Sequence, residues 1–329
     1  MDPEKERLLK PVARAGDDRS APGARLRRLC LGALGALAAG GSACAVTPVF
    51  KGPLYDHPAL GSEAWREPRQ AVACNGEISI YNTREPQIEV FLPDRTAASG
   101  AAVVMLPGGG LRALGVGAES DAEVEAFLRH GVAVLRLEYR TAQTPAEAIP
   151  PTCRPRGAAG PPVRFPKLDI HKGNANPAPG DAELTRVLAF AVADAQETFR
   201  LARRKADIWS LDPRRVGAIG TSAGGGVALG AALADAPSEA KPAFVISIFG
   251  PSLQDVTVKP DAPPLFLVTE ADHGPVTDGL LAVFSLWKDA GRPAELHVFQ
   301  VPVFSMTVDL WGGRLFEWLK AQGILAGPD

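Results

Sequence analysis

Short apolar runs alternate with amphipathic segments over most of the chain. Six runs have the length and composition of buried strands: Ala101–Leu106, Val132–Leu137, Val216–Gly220, Ala243–Phe249, Leu265–Val268 and Glu295–Phe299. Between them, the pattern predicts helices over Asp121–His130, Asp181–Lys205, Ser222–Ala234, Asp278–Ala290 and Val308–Ala321. Alternating strands and helices predict an α/β fold, with a mostly parallel central sheet and helices on both faces.

Other segments follow a different pattern. Ile78–Tyr81 and Gln87–Leu92 predict an antiparallel pair that opens the domain, and residues 47–76, rich in proline and glycine, predict an irregular lead-in. Residues 141–180 are also rich in proline, glycine and alanine and show no clear period. So long an irregular stretch is typical of a lid, a binding loop or a disordered insert. The folded domain is therefore predicted over residues 77–323, with this insert included.

The amino terminus has the pattern of an export signal. Residues 1–28 are polar and end in Arg25-Leu26-Arg27-Arg28, and residues 29–46 then carry no charge. A basic region, an apolar region and small residues before position 46 are typical of a secretory signal, here residues 1–45. The length also allows one membrane span, but the many glycines and alanines favour cleavage. We expect a periplasmic or extracellular protein.

One part of this signal resembles a lipid-attachment site. Gly41-Ser42-Ala43-Cys44 is similar to a degenerate bacterial lipobox, which would tether the exported protein to a membrane through Cys44. After export, Cys74 and Cys153 would meet an oxidising compartment in which they could pair. The sequence does not show that these two residues are close.

Composition and charge exclude several other classes. Hydrophobic residues make up 46 % and charged residues 22 %, values of an ordinary globular protein. The 35 Lys and Arg residues against 37 Asp and Glu leave a net charge of −2, so no basic field indicates a nucleic-acid partner. The four cysteines show no CxxC spacing and there is no P-loop, so no metal site and no cofactor are predicted.

A candidate nucleophile lies between a predicted strand and a predicted helix. Gly220-Thr221-Ser222-Ala223-Gly224 fits the pattern Gly-x-Ser-x-Gly. In this context the sharp turn exposes the serine hydroxyl above the sheet edge, and the flanking glycines relieve the crowding of the turn. The amino terminus of the following helix favours negative charge at the site. The alternative interpretation is a tight turn whose serine only caps the helix.

A second glycine-rich turn could stabilise the reaction that such a serine performs. Attack on an ester creates an oxyanion, which requires backbone N–H donors held in place beforehand. Ala223, directly after the serine, would supply one donor. The turn Gly108-Gly109-Gly110 follows the strand Ala101–Leu106 and would reach the same sheet edge. We select Gly109 and Gly110 as the other donors.

An ordered set of motifs carries a family resemblance. Its members are Pro107-Gly-Gly-Gly110, Leu137-Glu-Tyr-Arg140, Ala193-Asp-Ala-Gln196, Leu211-Asp-Pro-Arg-Arg-Val216, Gly220-Thr-Ser-Ala-Gly224, Ala271-Asp272 and Ala294-Glu-Leu-His-Val298. Over about residues 78–322 the chain resembles the α/β-hydrolase fold and, within it, small carboxylesterases such as acetyl-xylan and feruloyl esterases. The resemblance implies that Ser222 is the nucleophile and Asp272 the acid. It also implies an acyl-enzyme mechanism on small acyl esters, including those of carbohydrates.

The sequence departs from this family at the general base. The family places a histidine just beyond the last strand, where this chain has Phe304. A phenyl ring cannot accept the serine proton, so the triad is incomplete and we expect activity to be weak or lost.

The five histidines offer no obvious replacement. His273 follows the predicted acid on the same loop and is expected to be poorly placed between Asp272 and Ser222. His297 lies inside the last strand, whereas His171 belongs to the insert and could swing over the site. The remaining two, His57 and His130, are expected to be structural.

Two other functions remain open. Phe304 itself motivates a non-catalytic protein that binds ester or sugar ligands in the same pocket. Separately, Gly108-x-Gly110-x-x-Ala113 after a strand fits the fingerprint of a dinucleotide-binding oxidoreductase, with Glu138 at the end of the next strand. The segment Leu111–Ser120 argues against that fingerprint, because it lacks the helical period that should follow at once.

Overall fold

The computed structural model describes residues 46–152, 168–169 and 171–325. The predicted signal (1–45), Cys153 and part of the predicted insert lie outside the described residues.

Eleven strands form two sheets in the described part of the chain. They are β1 (Phe50–Pro53), β2 (Gln70–Cys74), β3 (Glu77–Tyr81), β4 (Gln87–Phe91), β5 (Ala102–Leu106), β6 (Ala113–Gly117), β7 (Ala133–Glu138), β8 (Val216–Thr221), β9 (Val245–Ile248), β10 (Leu265–Glu270) and β11 (Ala294–Phe299). The central sheet has the order β1-β4-β7-β5-β8-β9-β10-β11. Its strands from β7 to β11 are parallel, and β4 is antiparallel to both of its neighbours. The smaller sheet is antiparallel, in the order β2-β3-β6.

Six α-helices accompany the central sheet among the described residues. They are α1 (Ala118–Arg129), α2 (Ala182–Arg204), α3 (Ala206–Trp209), α4 (Ala223–Leu233), α5 (Pro275–Asp289) and α6 (Val308–Ala321). Phe127 of α1 packs edge-on against Phe316 of α6, while α2 packs against α4. Helices around the sheet explain why β5, β9 and β10 are buried along their whole length. The predicted α/β class, with a mostly parallel central sheet, is confirmed.

The prediction of an antiparallel opening pair is wrong. Strand β3 pairs with β2 and β6, whereas β4 pairs with β1 and β7 in the other sheet. The chain leaves the smaller sheet at Asn82, whose φ is 60°, and enters the central sheet five residues later. Sequence proximity therefore does not produce pairing here, because this turn redirects the chain between sheets.

Two further segments differ from their predictions. The lead-in contains β1 and β2, which are too short to show a clear alternation, and β1 carries a proline that an edge strand tolerates. Before α1, where the sequence predicted no strand, residues 113–117 form β6, and α1 begins at Ala118 instead of Asp121. Within the predicted insert, a short 3₁₀ helix at Ala146–Ala148 and a bridge from Asn174 to Ser252 are present.

Candidate active site

Ser222 lies on the sharp turn between β8 and α4. Its backbone has φ 53° and ψ −125°, a region that residues with a side chain rarely adopt. The turn is held by two bonds: the Ser222 N–H donates to the carbonyl oxygen of Ile248 at 2.9 Å, and the Gly225 N–H donates to that of Ser222 at 2.9 Å. The strand, turn and helix predicted around the motif are therefore all present.

Glycine is required on both sides of the serine. A Cβ atom on Gly220 would lie far inside van der Waals contact with the carbonyl oxygen of Gly224, and one on Gly224 would overlap that of Leu106. Leu106 ends β5, the strand that leads into the glycine-rich turn. The absence of a side chain at Gly224 thus allows the two turns to approach each other.

The turn formed by Gly108, Gly109 and Gly110 lies against the serine. A Cβ atom on Gly108 would be 3.0 Å from the Cβ of Ser222, and the φ angles of Gly109 and Gly110 are 138° and 64°. Among the described residues, no hydrogen bond uses the N–H of Gly109, Gly110 or Ala223. The three N–H groups predicted for an oxyanion hole are therefore not used in hydrogen bonds within this part of the chain.

Buried contacts fix this turn in place. The Tyr139 hydroxyl donates to the carbonyl oxygen of Pro107 at 2.6 Å, and the N–H groups of Gly115 and Ala142 donate to the carbonyl oxygens of Gly108 and Leu111, each at 2.8 Å. Burial raises the pKa of Tyr139, so this hydroxyl stays protonated and continues to donate.

A cavity of about 500 Å³ opens above the serine. Ser222, Gly108, Gly109 and Gly110 contribute to its wall, whereas Ala223 does not. The apolar part of the wall is formed by Met105, Leu106, Phe249 and Phe304. The acidic part is formed by Glu77, Glu119 and Glu123. The sequence analysis did not identify these carboxylates, because they lie on β3 and α1, away from any motif.

Phe304 lines the same cavity as Ser222. Its side chain is 39 % exposed, its φ is 62°, and its N–H donates to Glu270 Oε1 at 3.1 Å. The structure thus brings position 304, where the resemblance leads us to expect a histidine, to the serine cavity.

The structure does not bring Asp272 to this cavity. Asp272 Oδ2 accepts a hydrogen bond from Gln300 Nε2 at 2.7 Å on the exposed surface. The carboxylate that bonds to residue 304 is instead that of Glu270, which is completely buried. The carboxylate beside position 304 is therefore that of Glu270 and not that of Asp272. The sequence missed it because β10 was predicted to end at Val268, whereas the strand continues to Glu270.

Glu270 also forms a hydrogen bond with a histidine. Its Oε2 atom lies 2.8 Å from His273 Nδ1. The imidazole contacts two phenylalanine rings of the cavity wall, with centroid distances of 4.8 Å to Phe304 and 5.7 Å to Phe249. The prediction that His273 is poorly placed between Asp272 and Ser222 overlooked this different partner. The available signal was a glutamate at the end of a buried strand with a histidine three residues later.

The other four histidines lie elsewhere. His297 pairs with Glu295 at 2.7 Å within β11, and His130 stacks on Phe316 with a centroid distance of 3.5 Å. His57 contacts the ring of Tyr55, and His171 faces a separate cavity beside α5. None of these four residues contacts Phe249 or Phe304, and no histidine, His273 included, lines the cavity of Ser222 itself.

The glycine-rich turn does not form a dinucleotide site. The fingerprint requires a helix immediately after the glycines, with its amino terminus directed at the phosphates. The chain instead enters β6 at Ala113, so the oxidoreductase alternative is wrong. In the part of the chain that the structure describes, no group of three or more His, Cys, Asp or Glu residues is arranged to hold a metal ion. No described helix combines the length and apolar character needed to cross a bilayer.

Comparisons with known proteins identify the fold. No protein-family model matches the chain, and no curated protein matches it in sequence. An acetyl ester-xyloside bifunctional hydrolase from Caldicellulosiruptor lactoaceticus is similar in structure, with a TM-score of 0.53 and 17 % identity over 85 % of this chain and 99 % of that one. A carboxylesterase from Lactobacillus plantarum has a TM-score of 0.51 and 16 % identity, over 80 % of this chain and 100 % of its own.

An esterase from Thermogutta terrifontis likewise gives a TM-score of 0.51 and 17 % identity, over 80 % of this chain and 95 % of its own. At such low identity the similarity establishes architecture alone. The parallel sheet, the strained serine turn and these neighbours together show that the chain has the α/β-hydrolase fold.

Proposed function

We propose that this protein is a serine-dependent carboxylic-ester hydrolase that acts on small acyl esters through an acyl-enzyme. The observation that carries this proposal is Ser222, held at φ 53° in the wall of a cavity it shares with Gly109 and Gly110. The names of the structural neighbours, which are esterases, support the same chemistry.

In this mechanism the Ser222 oxygen attacks the ester carbonyl carbon while its proton passes to a base. The negative charge that develops on the carbonyl oxygen is stabilised by the N–H groups of Gly109, Gly110 and Ala223. The alcohol leaves with the proton, and water then releases the acid from the serine. Phe304 cannot act as the base, so the rate depends on another group.

The substrate is a small acyl ester. A cavity of about 500 Å³ is in the usual range for a small-molecule site. The neighbour named as an acetyl ester-xyloside hydrolase supports acetylated carbohydrates as one class to be tested.

A second candidate function is ligand binding without turnover. Phe304 in the wall of the cavity favours it, since the phenyl ring supplies apolar contact but no proton acceptor. Such a protein would bind the same esters in the same cavity.

The test uses hydrolysis of p-nitrophenyl acetate and butyrate by the unmodified chain and by the Ser222→Ala, Phe304→His and Phe304→His/Ser222→Ala variants. An imidazole at position 304 would lie beside Glu270, so we expect Phe304→His to increase the rate by about 10²-fold or more. The double variant should lose this gain.

A p-nitrophenyl phosphonate provides an independent assay, because it labels an activated serine without turnover. We expect one adduct on Phe304→His and none on the double variant, measured by intact mass. If neither assay depends on Ser222 while acetylated sugars still bind, the protein is the binding protein of the second candidate.

A further inference from the structure

We propose that His273 and Glu270 are the base and the acid of this hydrolase. We also propose that the ring of Phe304 blocks the path between His273 and Ser222. The inference rests on the proposed ester hydrolysis and names the group that accepts the serine proton. It replaces the pair expected from the sequence, a histidine at position 304 with Asp272.

The first argument is the pairing of the two side chains. His273 Nδ1 lies 2.8 Å from Oε2 of Glu270, and the Glu270 carboxylate is completely buried. A carboxylate accepts hydrogen bonds, so Nδ1–H is the donor to Glu270, and in the neutral imidazole Nε2 then has the lone pair. The same carboxylate stabilises the imidazolium that forms when Nε2 takes a proton. The pair therefore has the protonation pattern of a general base with its orienting acid.

The second argument is the position of the imidazole relative to the cavity. His273, Phe249 and Phe304 form a cluster of three rings, with a centroid distance of 6.0 Å between the two phenylalanines. Both phenylalanines line the cavity together with Ser222. Ile248, the residue before Phe249, accepts the bond from the Ser222 N–H. His273 is thus separated from the serine cavity by a single layer of aromatic rings.

The third argument is that the Phe304 ring can move without disturbing the pair. Its contact with Glu270 is made by the backbone N–H, so rotation about χ1 leaves that bond in place. Phe304 is 39 % exposed, so part of the residue already faces solvent. Rotation away from the cavity would uncover His273 while Glu270 stays anchored.

The proton transfer is balanced without any further reactant. As the Ser222 oxygen forms its bond to the carbonyl carbon, its proton moves to His273 Nε2. When the carbon–oxygen bond of the leaving alcohol breaks, Nε2 returns that proton to the departing oxygen. In the second half, Nε2 takes a proton from water and returns it to the Ser222 oxygen as the acid leaves.

The test removes the ring of Phe304 by substitution. We expect Phe304→Ala to hydrolyse p-nitrophenyl acetate about 10²-fold faster than the unmodified chain, because the imidazole gains access to the serine. Adding His273→Gln or Glu270→Gln should abolish the gain. Adding His297→Gln should preserve it, because His297 forms a similar pair with Glu295 at 2.7 Å but packs against Phe266 and Phe299 instead of the two phenylalanines of the cavity wall. Phe304→Leu is a second variant, should the alanine protein fail to fold.

A chemical rescue separates catalysis from structural support. Imidazole added to Phe304→Ala/His273→Ala should restore Ser222-dependent hydrolysis, an effect that a merely structural role for His273 would not produce. If Phe304→Ala/His273→Gln retains the full gain, or if imidazole rescues nothing, His273 is not the base.

The failure of this inference is distinguishable from the failure of the proposed function. Phe304→His/His273→Gln should stay active, because its base is at position 304. If that variant is active and Phe304→Ala is not, the hydrolase assignment holds and the His273 assignment is overturned. If neither variant shows Ser222-dependent hydrolysis or phosphonate labelling, both are overturned.

Discussion

At the scale of single residues, the site depends on backbone atoms that approach more closely than side chains would allow. Gly224 lies against the carbonyl oxygens of Leu106 and Pro107, which lead into the glycine-rich turn. Ser222 remains at φ 53° only while this packing and the bond to Ile248 hold the turn. The position of the nucleophile is therefore determined by its neighbours more than by its own preference.

The glycine at position 224 should be essential for stability. We expect Gly224→Ala to lower the free energy of unfolding by about 1–3 kcal/mol, since its Cβ atom would overlap the backbone at Leu106. Gly313→Ala is the matched control, because a Cβ atom there meets nothing within 4 Å inside α6. It should raise the stability by about 0.5–1 kcal/mol. Urea unfolding of the two variants tests this contrast, and equal effects would contradict it.

The sequence predicted the backbone geometry around the candidate site residues, and their roles stay predictions. Gly-x-Ser-x-Gly specifies a turn through steric requirements that are visible in the residue types themselves, and the same holds for the glycines at positions 108–110. Glu270 and His273 were missed for a physical reason. Their pairing depends on where β10 ends and on which way the loop after it turns, and local composition determines neither.

At the scale of elements, one loop joins β5 to β6 and carries Gly109 and Gly110, two of the three candidate oxyanion donors. Its start is bonded to Tyr139, the residue after β7, and its far side is bonded to Ala142. The motif Leu137-Glu-Tyr-Arg140, which carried part of the family resemblance, therefore supports the site from outside the cavity. A motif residue outside the cavity, such as Tyr139, is thus linked to the site through its hydrogen bond to the loop.

Loss of the Tyr139 hydroxyl should weaken this loop. Tyr139→Phe leaves the buried carbonyl oxygen of Pro107 without its donor at 2.6 Å, so we expect a loss of about 1–3 kcal/mol in the free energy of unfolding. It should also lower the rate of Phe304→His, because Gly109 and Gly110 lose their support. Tyr81→Phe is the control, since in the described part of the chain the Tyr81 hydroxyl makes no hydrogen bond. If both variants unfold alike, the bond to Pro107 does not hold the loop.

Elements of the parallel core were predicted better than those at its edges. Strands such as β5 and β10 are recognisable because burial on both faces makes them continuously apolar. The short strand β1 and the strands of the smaller sheet lack this signature. Their pairing joins strands that are far apart in the sequence, as β3 and β6 are. The hydrophobic period along one strand does not indicate which other strand it pairs with.

At the scale of the whole molecule, a buried ion pair connects the lead-in to the central sheet. Arg140 bonds to Asp194 of α2 at 2.7 Å, with 3 % and 0 % of the two side chains exposed. The lead-in joins this pair through the Tyr55 hydroxyl, which donates to Asp194 at 2.8 Å, and through the Leu60 carbonyl oxygen, which accepts from Arg140 at 2.6 Å. Burial next to this carboxylate raises the pKa of Tyr55, so its hydroxyl remains a donor.

Breaking this pair should destabilise the fold strongly. Asp194→Asn leaves the Arg140 guanidinium buried without a countercharge, and we expect a loss of about 3–5 kcal/mol in the free energy of unfolding. Asp235→Asn is the control, because Asp235 pairs with Lys259 at 3.2 Å on the exposed surface, and it should change the stability by less than about 0.5 kcal/mol.

A double variant distinguishes two causes of this destabilisation. One is the unpaired charge that stays buried on Arg140, and the other is the lost attraction between Arg140 and Asp194. The cost of Asp194→Asn comes mainly from the charge that stays behind, so removing both charges with Arg140→Met/Asp194→Leu should recover part of the stability lost in the single variant. Because Tyr139 precedes Arg140, the single variant should also loosen the turn at Pro107 and slow phosphonate labelling of Phe304→His. If the double variant is no more stable than Asp194→Asn, the attraction within the pair dominates, and the lead-in is held by the pair as a unit.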